Sequence, residues 1–339
     1  MAVFSLSRNE SLEPGVYPFD PRKHMRQVAD LVGAVFADEI DADGRSVLQE
    51  MQTVGRLSPL LGGLMGSGFL GDFVGGFVWI EGERVLGNVT LQRVDFGGTR
   101  WRISNVAVVP EYRGRGIAKA LMLSSLSEIA HQGGGWAVLQ VRVDNPPAKR
   151  LYESLGFTDV CQEGIWKLSS LPDRLPAPAP DVPLQPLPPL AWRSRFELAQ
   201  ATQTQLARWL APIEASQYQV GLLQGLGEAI GNWTGFYRVQ RWGIYEDGIL
   251  LGAVETSASL MGDAHRLRLL VRPAGYGLVE GPLVGQGLRA LATSTPAPVI
   301  AEHSGDHVEG VAALEAAGFR PRRVLLSMRR PIVPADELL

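Results

Sequence analysis

YESLGF at 152–157 and LEAAGF at 314–319 are two spellings of one device: an apolar helix end, a glycine stop and a phenylalanine that follows it. VVP at 108–110 is matched by VRP at 271–273, and EGERVLGNVTLQ at 81–92 by YEDGILLGAVETS at 245–257. VYPFDP at 16–21, before an amphipathic helix, is matched by VPLQPL at 182–187 before another helical stretch. All these pairs lie 162 to 166 residues apart, which marks an internal duplication. Each copy then has to build a layer of its own. The order within each is strand, helix, a helical or loop region, a strand pair, a third strand, helix, strand, helix, strand. That order predicts an α/β (α+β) architecture with helices packed on a central sheet.

A boundary falls where the repeat needs one. Residues 171–190, LPDRLPAPAPDVPLQPLPPL, contain eight prolines in twenty positions. So much proline argues against helix and against a paired strand, and the segment reads as an extended spacer. Two domains are expected on either side, 1–170 and 191–339, consistent with a chain of 339 residues.

Composition narrows the class. A net charge of -3 offers no global attraction to nucleic acid or an anionic membrane, and neither is expected as a partner. Cys161 is the only cysteine, so there is no disulfide framework and no cysteine metal site. His24, His131, His265, His303 and His307 show no metal spacing, and no metal is expected. The opening MAVFSLSRNESLEPG does not read as a secretory signal, which makes a cytoplasmic protein the expectation. The apolar run at 58–80 is dense in glycine and carries Asp72. It reads as a glycine-rich connection entering a buried strand rather than a membrane span.

The chemistry concentrates in VVPEYRGRGIAKAL, 108–121. The strand WRISNVAVVP at 101–110 ends there, and Ile117, Ala118, Leu121, Met122, Leu126 and Ile129 recur at helical spacing. The RGRG turn therefore leads from a strand into a helix. Unpaired N–H groups and the positive end of the helix dipole meet there, an anion site by construction. Gly114 and Gly116 allow close backbone approach, while Arg113, Arg115 and Lys119 add charge. A pyrophosphate suits it. The turn lacks the Gly-Lys-Ser/Thr of a P-loop, and Lys119 stands where a dinucleotide fingerprint needs its third glycine.

The spacing Arg-x-x-Gly-x-Ala from Arg113 to Ala118 resembles motif A of the GNAT (GCN5-related N-acetyltransferase) superfamily. LQVRVDNPPAKRLYESLGF, 139–157, is similar to its motif B, above all in the ribosomal-protein alanine acetyltransferase branch. The resemblance covers residues 16–170. It implies two tandem GNAT-like domains, each with a mixed, mostly antiparallel sheet, and acetyl-CoA as co-substrate. It implies that Val106, Ala107 and Val108 pair with the pantetheine arm. Arg113, Gly114, Arg115, Gly116, Ile117, Ala118 and Lys119 would hold the phosphates. Asn145 would contact the cofactor arm, and Tyr152 would donate a proton to the departing thiolate. A Val108 N–H would stabilise the oxyanion of a direct attack by a primary amine.

Each assignment has a plainer alternative. Tyr152 lies near Leu151 and Leu155 and also reads as a packed side chain with its hydroxyl at the surface. Asn145 before Pro146 and Pro147 also reads as a helix cap. Lys149 and Arg150 could meet the CoA phosphates, but an exposed helix face explains them at least as well. Where the ribosomal branch has a glutamate base, this chain has Gln140, which cannot take a proton from an ammonium. Asp38, Glu39 and Asp41 could stand in, or form a solvated acidic turn. This departure argues against a simple ribosomal-protein acetyltransferase. A small-molecule amine is the first expectation for the acceptor and a protein N-terminus or lysine the second; a CoA-binding sensor without catalysis is the third reading. In the second copy no Arg-x-x-Gly-x-Gly/Ala survives, Glu280 lies near the expected phosphate position, and Leu314 replaces the tyrosine. That copy is expected to be degenerate.

Overall fold

The computed structural model describes residues 12–37, 73–94, 97, 99–172, 175, 183–219, 237–259 and 264–333. Asp38, Glu39 and Asp41, residues 58–72 of the apolar run, and most of 173–182 lie outside the described residues. The chain packs as two units. One comprises residues 1–140, 147–158 and 328–339; the other comprises 141–146 and 159–327.

In the first unit the strands run β1 (Leu12–Pro18), β2 (Phe73–Gly82), β3 (Arg84–Arg93), β4 (Arg100–Val108) and β5 (Trp136–Arg142), side by side in that order. β1 to β4 pair antiparallel, and β5 lies parallel to β4. Helix α1 (Pro21–Val35) starts where Asp20 accepts from the Arg22 N–H at 2.9 Å and Pro21 opens the first turn. Its buried face, Val28, Leu31 and Val32, packs on Val78, Ile80 and Ala107 of the sheet. Helix α2 (Ile117–His131) buries Ile117, Leu121, Met122, Leu126 and Ile129. β3 is buried continuously from Val85 to Leu91, as a strand covered on both faces must be. Helix α3 (Pro146–Ser154) ends in a Schellman-type stop. There Gly156 has φ +83°, and the Phe157 N–H reaches back to the Tyr152 carbonyl at 3.0 Å.

The second unit repeats the plan. Its strands β7 (Leu184–Pro186), β8 (Tyr237–Glu246), β9 (Ile249–Ser259), β10 (His265–Val271) and β11 (Val299–Ser304) are neighbours in that order, and β6 (Thr158–Leu168) lies antiparallel to β11. Among the described residues its helices are α4 (Trp192–Thr202), α5 (Gln205–Leu210), α6 (Glu280–Leu291) and α7 (Val308–Ala316). The core gathers Trp166, Val254, Leu267, Leu283, Leu314 and Phe319. The last strand, β12 (Arg320–Pro331), begins in this unit; from Met328 onward the chain belongs to the first.

The duplication reaches down to single contacts. A Cβ on Gly87 of β3 would come within 2.9 Å of Ile117 and 3.0 Å of Leu121. A Cβ on Gly252 of β9 would meet Leu283 at 2.7 Å and Val279 at 2.9 Å. In both units a strand glycine lets the helix after the turn lie close on the sheet. The proline-rich segment departs from expectation, because Leu184–Pro186 is a paired strand. Leu184 pairs with Ile244 and Pro186 with Trp242, and the Leu187 N–H binds the Arg241 carbonyl at 2.8 Å. β7 is an edge strand, the place where proline's missing N–H breaks no ladder.

Candidate functional site

The first unit's site is built where β4 leaves its neighbours. β4 and β5 pair only over Arg100–Arg102 against Trp136–Val138; beyond that the two strands separate. On the other edge, β4 carries an irregularity. Asn88 faces Ala107 and Thr90 faces Ser104, so Asn105 and Val106 together oppose Val89, a bulge. Asn105 has φ +51°, a conformation that asparagine tolerates better than most residues. The bulge is stitched by side chains. Asn88 Nδ2 donates to the Asn105 carbonyl at 3.1 Å, and Asn105 Nδ2 donates to Thr90 Oγ1 at 3.3 Å.

Past the bulge the strand direction is set by two bonds. The Val109 N–H is spent on the Leu86 carbonyl at 2.9 Å. Polar groups of adjacent strand residues point to opposite edges, so Val108 presents its N–H to the edge that β5 has left. Its carbonyl faces the same way and accepts from Arg113 Nε at 3.2 Å. Val106 is half-buried, and Ala107 and Val108 are buried.

The turn that follows is open. Gly114 and Gly116 have φ of +77° and +81°, and nothing lies within 4 Å of where their side chains would be. Gly116 caps α2 without a side chain, which leaves first-turn N–H groups facing outward. Arg113, Arg115 and Lys119 are exposed, Ala118 is half-buried, and Ile117 plugs into the core. Arg115 stacks over Tyr112 with 4.6 Å to the ring centroid and donates to the Glu111 carbonyl at 3.4 Å. The predicted loop residues thus lie around one cationic, glycine-lined helix start.

Tyr152 is buried at 6% exposure, edge-on to Phe157 with ring centroids 6.1 Å apart. Burial pushes its hydroxyl up to about 12, so it holds its proton through the neutral range. Asn145 is exposed, and its N–H closes a turn onto the Arg142 carbonyl at 3.0 Å. Gln140 is exposed. A cleft of about 330 Å³ opens beside α1 and the end of β4, lined by Leu31, Val35, Val85, Val109, Asp30 and Arg84.

Sequence reasoning missed the Asn88–Thr90–Asn105 set. An asparagine inside the alternating strand WRISNVAVV was the available signal, since asparagine is unfavourable in strands unless the backbone turns at it. It also missed that His303 and His307 meet. In the second unit β9 and β10 pair without any shift from Ser257–Arg266 to Gly252–Val271, so the bulge is a property of the first unit.

Residues 60–157 match the family described as acetyltransferase (GNAT) family. Over 83 residues the chain is 40% identical to N-alpha-acetyltransferase 30 of Schizosaccharomyces pombe, covering 24% of this chain and 55% of that one. It is 40% identical over 79 residues to mycothiol acetyltransferase of Nocardiopsis dassonvillei, 23% of this chain and 22% of that one. Over 55 residues it is 40% identical to the ribosomal protein bS18 alanine N-acetyltransferase of Escherichia coli, 16% of this chain and 37% of that one. The matches thus span about half or less of these relatives. Two solved structures resemble nearly the whole fold. One is a tandem GNAT protein from the clavulanic acid biosynthesis pathway (TM-score 0.51, 17% identity, 96% of this chain and 100% of that one). The other is an N-acetyltransferase from Sphaerobacter thermophilus (TM-score 0.54, 16% identity, 94% and 96%).

Proposed function

We propose, for a chain whose residues 60–157 match the GNAT acetyltransferase family, that the first unit transfers an acetyl group from acetyl-CoA to a primary amine. The observation that carries this is the combination of a bulged, splayed β4 with an open glycine turn at the start of α2. A strand whose partner has moved away offers its backbone to an extended amide arm. A cationic helix start at its end suits a pyrophosphate. A pantetheine chain joined to a diphosphate has both parts in that order.

The chemistry follows from the same groups. A neutral amine attacks the thioester carbonyl carbon, and the developing oxyanion takes a hydrogen bond from the Val108 N–H. The C–S bond then breaks. Tyr152, with its proton retained up to about pH 12, donates to the leaving sulfur. With Gln140 in the strand, the proton lost by the amine passes to water, and water returns a proton to the Tyr152 phenolate to close the cycle. Asn145 contacts the cofactor arm in this reading.

We favour a small-molecule amine as acceptor, supported by the cleft of about 330 Å³ beside the end of β4, a size suited to a small ligand. The similarity to N-alpha-acetyltransferase 30 favours a protein N-terminus as the second reading. A cytoplasmic location belongs to this proposal. The test is turnover of acetyl-CoA against a panel of small amines and N-terminal peptides, followed by thiol release. Acceptor-dependent release supports the transferase. Saturable acetyl-CoA binding with no release for any acceptor overturns it in favour of a CoA-binding sensor.

A further inference from the structure

The turn of the second unit that corresponds to the glycine–arginine loop is filled from within. Gly277, like Gly114, has φ +77°, and the same strand–turn–helix geometry leads from β10 into α6. Here the first residue of the helix is Glu280, buried at 3% exposure. Its side chain folds back over its own helix start. Oε1 accepts from the Gly277 N–H at 3.0 Å and Oε2 from the Val279 N–H at 3.2 Å. Two oxygens of one anion on two backbone N–H groups at a helix N-terminus is how such turns hold an external oxyanion.

A buried carboxylate has to be held and neutralised. His307, 5% exposed, places Nε2 at 2.9 Å from Glu280 Oε1. Tyr276 stacks on its ring at 3.9 Å and 20°. Behind it, His303 Nε2 lies 3.0 Å from His307 Nδ1. Burial and the neighbouring His307 hold the His303 imidazole down at about 4, so it is neutral in this cluster. The packing leaves no slack: a Cβ on Gly310 would fall within 2.6 Å of His307 Nδ1 and closer still to His303.

We infer that the second unit retains a functional anion cradle whose permanent ligand is its own Glu280 carboxylate, clamped there by His307 and His303. The cradle has been converted from a binding site into an internal structural tie. This rests on the backbone of the second unit and stands whether or not the first unit transfers acetyl groups.

The test uses the full chain with R113A/R115A, so that the first unit's loop contributes a weakened baseline. Adding Glu280→Ala empties the cradle. Thermal unfolding is followed with and without inorganic pyrophosphate. The triple variant should melt below its parent and gain ~2–4 °C with pyrophosphate at about ten times its Kd, beyond the parent's own response. A folded triple variant that responds no more than its parent overturns the proposal. Should that variant fail to fold, Glu280→Gln decides. The amide keeps the volume but loses the charge and one acceptor. It should lower Tm by several degrees; an unchanged Tm means the carboxylate is not acting as the cradle's ligand.

Discussion

Tyr152 shows how much one residue's role depends on what surrounds it. In sequence it is a helix tyrosine between leucines, open to packing as well as to chemistry. Burial against Phe157 holds its hydroxyl at about 12, so at neutral pH it is a hydrogen-bond donor and not a phenolate. Tyr152→Phe should therefore lower kcat by roughly tenfold or more and leave acetyl-CoA affinity nearly unchanged. Steady-state kinetics with calorimetric binding check both halves; an unchanged rate assigns the residue to packing. The same burial has a stability consequence. Because the folded-state value lies above the unfolded one of about 10, the neutral hydroxyl stabilises the fold fully below pH ~10 and less as pH rises toward 12. Wild type should lose Tm over that window more steeply than Tyr152→Phe.

At the scale of elements, the loop before α2 behaves as a unit. Gly114 and Gly116 both sit in the left-handed region, which L side chains rarely adopt, with open space beside them. Gly116→Val would be strained there and would push a branched side chain toward the N–H groups of the first turn. Arg113 has two duties, its charge and its bond to the Val108 carbonyl. Arg113→Ala with Arg115→Ala should weaken acetyl-CoA binding about tenfold or more, through lost charge-assisted bonds. Gly116→Val should weaken it as well, and circular dichroism should be unchanged in both. Undiminished calorimetric affinity in both variants would remove the phosphates from this loop. The loop was legible in sequence because glycines and arginines at a strand–helix junction have few other uses. The bulge at Asn105 left one mark in the sequence, an asparagine inside a strand. Its position was not legible, because its cause is a pairing between β3 and β4, in which one extra residue on β4 has no spacing signal.

For the whole molecule, the two units share a plan and differ where a cofactor would sit. The first has the bulge, the open turn and a buried tyrosine; the second has an unshifted β9–β10 ladder, Glu280 in its turn and Leu314 in the tyrosine's place. One acetyl-CoA per chain is therefore expected, bound by residues 1–170. Titration calorimetry measures it directly, and a stoichiometry near two would contradict the degenerate second copy.

The sequence by itself determined the repeat, the order of elements in each copy and the glycine-rich, cationic turn that joins strand to helix in the first. These depend on local rules: apolar period, glycine at positive φ, charge near a helix start. Tertiary structure alone decided the rest. Leu184–Pro186 is a strand because an edge position needs little of proline's backbone. β6, the last strand of the first copy, counts with the second unit because β11 offers it an antiparallel partner there. His303 and His307 read as unremarkable singly. They become a clamp because β11 and α7 deliver them to Glu280, which lies more than twenty residues away in sequence. Contacts of that separation leave no periodicity in the chain, so only the folded molecule reveals them.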